Sequence, residues 1–311
     1  MDTTQKGSIG NGGKTMNSSK IEYCTKMWNP VTGCLNSCPY CYARGIAKRF
    51  SGCSIGYGLE AVAKFKKEWE SGGCKYMTLD EPLKRITKSG KLVDAPYPWG
   101  FEPTFHRYRL DEPQKIKKPQ TIFVGSMCDL FGDWIPDEWI AEVFDATNKA
   151  PQHIYVYLTK NPDRYYQLSD DVEDGDGNIV GKNLFGMNGS SVSGWFGATA
   201  TTVKQAINAY QNMNCTWLSI EPIQEDFQEF CDYFMHYDHI YTNAQLVRWK
   251  GIVIGCETGN RKDKVIPKRE WIETIVDACR ESNTPVFLKD NLIPILGKEY
   301  VRANQQLSWE V

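Results

Sequence analysis

No stretch of the 311-residue chain reaches the roughly 18 apolar residues that a bilayer-spanning helix requires. The N-terminus also lacks a basic segment followed by an apolar run, the mark of a secretory leader. Both absences predict a soluble, cytoplasmic protein with no membrane partner. Charge of one sign is missing too: 36 Lys and Arg against 38 Asp and Glu leave a net charge of -2. Bulk electrostatics therefore demand neither a nucleic-acid nor a membrane partner. What the chain does have is core material, 41% hydrophobic and 13% aromatic residues, enough for one large globular body with decorations. Its eleven cysteines read as reduced thiols with a metal-binding or catalytic subset, not as a disulfide framework.

Residues 1–20, MDTTQKGSIGNGGKTMNSSK, show no apolar period and read as a disordered tail. Beyond them, apolar runs rich in β-branched and aromatic residues recur at 121–125, 154–159, 195–199, 216–220, 251–256 and 285–289, with a further strand near 23–28. Helical patterns lie between, at 42–50, 58–70, 136–149, 202–212, 224–235 and 268–281; the last sets Trp271, Ile272, Ile275, Val276 and Cys279 at core spacing. Strand, helix, strand predicts an α/β fold with a parallel sheet, here a partial or full (β/α) barrel of six or seven strands over 21–295. Residues 296–311 then form a C-terminal extension. Two stretches break the rhythm: 90–120, with Pro96, Pro98, Pro103, Pro113 and Pro119, and 170–194, crowded with Asp, Gly, Asn and Ser. Both read as surface insertions over the barrel, either binding loops or ornament.

The segment MWNPVTGCLNSCPYCYAR (27–44) holds Cys34, Cys38 and Cys41 with the spacing C-x3-C-x2-C. Three thiolates on one loop can ligate three irons of a cubane cluster and leave the fourth open. Other readings stand beside this one. Cys38-Pro39-Tyr40-Cys41 is also a dithiol oxidoreductase sequence, although that use leaves Cys34 idle in a chain much larger than a glutaredoxin. Cys24 or Cys53 could complete a zinc site, but no second C-x2-C pair exists. Ordinary buried thiols would need coincidence to produce the spacing.

In its cysteine spacing, and in Tyr40 just before the third cysteine, the chain resembles the radical-SAM superfamily. That resemblance implies a barrel of the radical-SAM type, a 4Fe-4S cluster on Cys34, Cys38 and Cys41, and S-adenosyl-L-methionine bound at the open iron. It further implies reductive cleavage of S-adenosylmethionine to a 5'-deoxyadenosyl radical that abstracts hydrogen from a substrate, with flavodoxin or ferredoxin as electron donor. WNPVTGC (28–34), CYAR (41–44), SMCDLFG (126–132), PQHIYVYLTKNPDR (151–164), WLSIEP (217–222) and GCETGN (255–260) together resemble a narrower, phage-associated three-cysteine-motif family of unknown function. The match covers most of 25–290 and hints at a partner protein, without supplying a substrate.

Chemistry in parallel barrels gathers at the C-terminal strand ends. Residues expected there are Ser126, Cys128, Asp129, Lys160, Thr199, Thr201, Glu221, Glu257, Lys289 and Asp290. By the resemblance, Gly125, Ser126 and Asp129 take the position that grips the methionine amino group, although the usual Gly-Gly-Glu is absent. Glu257 faces the ribose or adenine, and Tyr40 lies against the adenine. Lys160, Glu221 and Lys289 are the substrate-contact candidates, since charges ending buried strands cost desolvation unless paired or used. Cys128 and Cys256 are candidate hydrogen donors or second-cluster ligands, or plain core thiols.

Basic residues at Arg44, Lys48, Arg49, Lys64, Lys66 and Lys67, and at Arg107, Arg109, Lys115, Lys117 and Lys118, suggest a phosphate track. Tyr97, Trp99, Phe101, Phe105 and Tyr108 interleave with the second group as base-stacking candidates, leaving a nucleic-acid substrate open. GNGGKT and DDVEDGDGNIVGKN are rejected as phosphate and calcium loops because required positions are wrong. A non-catalytic zinc- or cluster-binding adaptor is the alternative from a different class.

Overall fold

The computed structural model describes residues 16–52, 63, 67, 77–169, 194–212, 214–241 and 249–309. Its strands are β1 (Asn17–Ser18), β2 (Lys26–Trp28), β3 (Val31–Thr32), β4 (Met77–Leu79), β5 (Lys84–Ile86), β6 (Leu92–Asp94), β7 (Thr104–His106), β8 (Thr121–Val124), β9 (Ile154–Thr159), β10 (Trp195–Ala200), β11 (Trp217–Ile220), β12 (Ile252–Ile254) and β13 (Val286–Leu288). The large sheet runs β1-β2-β8-β9-β10-β11-β12-β13. Only β1 is antiparallel to its neighbour; the other seven strands are parallel and curl into a half-barrel. The α/β class and all seven expected strands are present, with small shifts at their ends.

The helical patterns fall on Tyr42–Phe50, Asp137–Asn148, Val203–Gln211, Gln228–Tyr241 and Arg269–Glu281. Local chemistry starts them: the Thr202 hydroxyl accepts from the Gln205 amide, and Asp137 and Glu138 sit in the positive first turn of their helix. The pattern at 58–70 lies outside the described residues apart from 63 and 67, as do Cys53, Lys64, Lys66, the rejected GNGGKT and DDVEDGDGNIVGKN loops, and the insertion at 170–194 apart from Gly194.

Alternation along the strands sorts two cores. Ile122, Val124, Tyr155, Tyr157, Leu218, Ile220, Ile252 and Ile254 face the helices and pack on residues such as Ile140, Phe144, Phe230 and Ile275. Phe123, Val156, Trp217, Val253 and Phe287 face the concave side, where Tyr23, Cys24, Leu307 and Trp309 fill the floor. Gly197 is needed for this filling, because a Cβ there would lie 2.2 Å from the Trp217 indole.

Three regions depart from the sequence reading. Residues 16–20, expected in the tail, include strand β1 and the buried Met16. Residues 304–306 of the C-terminal extension pair with the outer edge of β13, through Leu288 N to Asn304 O (2.8 Å) and Gln306 N to Val286 O (3.0 Å). That pairing covers an edge that would otherwise stay open. The proline-rich stretch 90–120 is no ornament: β7 lies between β3 and β4 in a small second sheet, Thr104, Phe105 and His106 are buried, and Phe105 stacks on Trp139 at 5.1 Å.

Candidate functional site

The segment WNPVTGC leaves β2 and folds back over the C-terminal end of β8. Asn29 makes that turn possible, its Oδ1 accepting from Met127 N (2.9 Å) and Ser126 Oγ (3.2 Å). Gly33 follows at φ +93°, where an added Cβ would lie 2.1 Å from the Glu102 carbonyl oxygen. Only glycine fits so close an approach in that backbone region. Gly33 N then donates to Met127 O (2.9 Å) and Cys34 N to Phe101 O (3.0 Å), delivering Cys34 beside Cys128.

Two contacts hold the cysteine loop to the end of β9. Asn36 Nδ2 donates to Asp129 Oδ2 at 3.0 Å, and Lys160 Nζ donates to Tyr40 Oη at 2.8 Å while lying 5.2 Å from the ring centroid. Asp129 is only 5% exposed, and its carboxylate also accepts from Thr159 Oγ1 (2.6 Å), Lys160 N (3.0 Å) and Phe131 N (3.3 Å). Four donors match the acceptor capacity of a carboxylate. Burial still pushes its pKa above the usual carboxylate range, although the hydrogen bonds oppose that shift. Asp129, expected to grip a bound amino group, is thus occupied in tying β8, β9 and the cysteine loop together.

Arg44 braces the loop from its other end, donating to Cys34 O (3.0 Å) and Asn36 O (2.9 Å) from above the Phe101 ring. Cys41 is the N-cap of helix Tyr42–Phe50, its Sγ accepting from Arg44 N at 3.3 Å. Cys34, Cys38 and Cys41 are free thiols of intermediate burial. Burial, then the nearby Asp129 carboxylate, pushes Cys34 up to about 12. Cys128 is raised further by burial, Asp129 and Cys34; its thiol lies 3.7 Å from Gly125 O, and a Cβ on Gly125 would meet it at 2.9 Å.

The remaining candidates fall at two other strand ends. Lys289 Nζ pairs with Glu221 Oε1, and Gly255 leaves the room: a Cβ there would lie 3.0 Å from Lys289 Cδ. Glu22 joins this group by accepting from Asp290 N at 2.8 Å, with its pKa raised by burial. One tier below Glu221 on the concave side of β11, the buried Ser219 hydroxyl has no hydrogen-bond partner. Asn291 clamps Cys256, with its carbonyl oxygen 3.2 Å from Cys256 Sγ. Glu257 lies apart in a bidentate pair with Arg261, 2.8 Å at each oxygen, and that guanidinium holds its pKa below the ordinary range. Thr201 is likewise spoken for, bonding Gln205 Oε1 through both its amide and its hydroxyl.

The donor set suits an iron-sulfur cluster better than zinc. Three thiols share one loop, while Cys24, the described candidate for a fourth zinc ligand, is buried in the concave floor. Among the described residues no three His, Cys, Asp or Glu side chains are gathered as a bound metal gathers them. The supposed base-stacking platform turns inward: Phe105 and Tyr97 are buried, and Arg107 and Lys115 are taken up by Glu142 and Asp111. Sequence reasoning missed Asn29, Asn36, Arg44, Asn291 and Arg261. Each acts through a hydrogen bond that carries no local signature.

A family described as "Protein of unknown function (DUF5131)" matches residues 18–293. The chain belongs to this family. The DUF5131 match thus takes in the whole parallel sheet, the cysteine loop and every candidate residue above. The comparison with curated proteins returns no match. Similar solved structures include forms of spore photoproduct lyase. The variant with bound AdoMet and dinucleoside spore photoproduct aligns at TM-score 0.48 and 8% identity, over 88% of this chain and 78% of that chain. The form complexed with dinucleoside spore photoproduct aligns at TM-score 0.44 and 9% identity, over 89% and 79%. These values describe a loosely shared outline, and no residue role rests on them.

Proposed function

We propose that this DUF5131 chain is a radical-SAM enzyme in which Cys34, Cys38 and Cys41 hold a 4Fe-4S cluster. The supporting observation is the position of the C-x3-C-x2-C loop, held by Asp129–Asn36 and Lys160–Tyr40 at the end of a parallel half-barrel where such folds gather their chemistry. When bound, the cluster supplies the electron for reductive cleavage of S-adenosylmethionine. The chain's own contribution is positioning and enclosure. Asp129, Asn36 and Arg44 fix the loop backbone between the cysteines. Gly125, Ser126, Tyr40 and Glu257 form the S-adenosylmethionine set, with Glu257 ionised by Arg261 and so able to accept from hydroxyl groups. Lys160, Glu221 and Lys289, with the unpartnered Ser219 hydroxyl, line the concave side for substrate. Cys128, kept protonated by its surroundings, is the candidate hydrogen donor. Among the described residues no helix is long and apolar enough to cross a membrane, in keeping with cytoplasmic work beside a soluble electron donor.

Anaerobic reconstitution with iron and sulfide, chemical reduction and addition of S-adenosylmethionine tests the reading. Formation of 5'-deoxyadenosine that is lost in Cys34→Ala, Cys38→Ala and Cys41→Ala supports it. A chain that takes up zinc and no cluster points instead to the adaptor.

A further inference from the structure

Resting on that reading, the loop also has an outward side to account for. Cys34, Cys38 and Cys41 are half-buried, whereas Leu35, Ser37 and Pro39 between them are exposed. The thiol loop is therefore part of the protein surface. Helix Tyr42–Phe50 begins at Cys41 itself and, at 1.5 Å per residue, extends about 13 Å from that thiol. It buries only Ala43 and Ala47 and turns Arg44, Lys48 and Arg49 to solvent, with no acidic residue in YARGIAKRF. In a chain of net charge -2, this is a local concentration of positive charge. Leu35 (42% exposed), Tyr42 (60%) and Phe50 (42%) add exposed apolar surface beside it. An apolar centre bordered by cations is the anatomy of a transient protein interface with an acidic partner.

We infer that the outer side of the cysteine loop and helix Tyr42–Phe50 is the docking surface for an acidic one-electron carrier protein. The carrier is oxidised by one electron and the group held by Cys34, Cys38 and Cys41 is reduced by one. No covalent bond changes in that step. Nucleic acid fits this face less well, because Phe105 and Tyr97 are packed inside while the exposed rings are few and aliphatic Leu35 shares the patch. The concave side stays free for substrate, so donor and substrate approach from different directions.

The test uses a purified flavodoxin as the probe carrier and the double variant Lys48→Glu/Arg49→Glu. Both side chains are exposed and lie outside the binding and catalytic set. Affinity for flavodoxin is read from flavin fluorescence on the as-purified and cluster-loaded chains, and cluster reduction from visible absorbance. The expected result is binding that weakens with salt and falls about tenfold or more in the double variant, with carrier-driven reduction slowed to match. Reduction by dithionite stays at the wild-type rate. Lys48→Gln/Arg49→Gln gives an intermediate loss and guards against misfolding of the charge-reversed chain. Flavodoxin binding that is absent, or indifferent to both variants, overturns the docking surface. So does loss of single-stranded DNA binding in the variants with flavodoxin binding intact. Failure of dithionite and S-adenosylmethionine to yield 5'-deoxyadenosine sinks the enzyme reading separately.

Discussion

Asp129 and Asn36 are joined by a 3.0 Å hydrogen bond that spans 93 positions of sequence and fixes the cysteine loop to the barrel. Because the same carboxylate serves Thr159, Lys160 and Phe131, Asp129→Ala leaves four donors without their acceptor. The expected cost is about 2–4 kcal/mol, in line with loss of a buried hydrogen-bond network. Iron loading falls with it. Asp129→Asn keeps the size but replaces one acceptor oxygen by a donor, so it restores only part of the loss; denaturant unfolding and iron per chain measure both.

Gly33→Ala drives a methyl group into the Glu102 carbonyl from a backbone conformation that alanine avoids. A loss of about 3 kcal/mol or more is expected from clash and strain together. Gly52→Ala is the control: its φ is +94°, but nothing lies within 4 Å of the added Cβ. A midpoint shift no larger in Gly33→Ala than in Gly52→Ala would contradict the packing of the loop on Glu102.

Glu257 has its pKa lowered in the fold by Arg261. Its stabilising contribution is therefore present above the unfolded glutamate value near about 4.3 and is lost as pH falls through the lower folded value. The melting-temperature gap between the native chain and Glu257→Gln should be widest near neutral pH and close below about pH 4. A gap that stays constant to pH 3 would show that the carboxylate charge contributes nothing.

The Glu221–Lys289 pair is mostly shielded and lies in a space that Gly255 keeps open. Lys289→Met strands the carboxylate and should cost about 1–3 kcal/mol, whereas Glu221→Gln/Lys289→Met together cost less than the sum of the single changes. A double-mutant cycle by chemical denaturation reads the coupling; additivity within error contradicts the pair.

The parallel strands were legible because strands covered on both faces read as unbroken apolar runs, as in TIFV, IYVYLT and WLSI. Their helices showed in the period of residues such as Ile272, Ile275, Val276 and Cys279. Buried Phe105 escaped because five prolines around it suggested a loop, yet β7 needs only three residues between β3 and β4. Strand ends placed Lys160, Glu221 and Lys289 correctly at the mouth, and the sequence reading allowed that some of them pair with one another, as Glu221 and Lys289 do. The work of Asp129 was not legible, since Asn36, Thr159 and Lys160 meet it only through tertiary folding. The repeated Asn residues flanking the first cysteine, Asn29 and Asn36, were the available hint.

Iron and acid-labile sulfide per chain after anaerobic reconstitution test the central claim most directly. The account predicts about four of each, as a 4Fe-4S cluster requires. That content should fall sharply in Cys34→Ala, Cys38→Ala and Cys41→Ala and persist in Cys128→Ala and Cys256→Ala. Bound zinc without iron, or a cluster indifferent to loss of Cys34, Cys38 or Cys41, would contradict it.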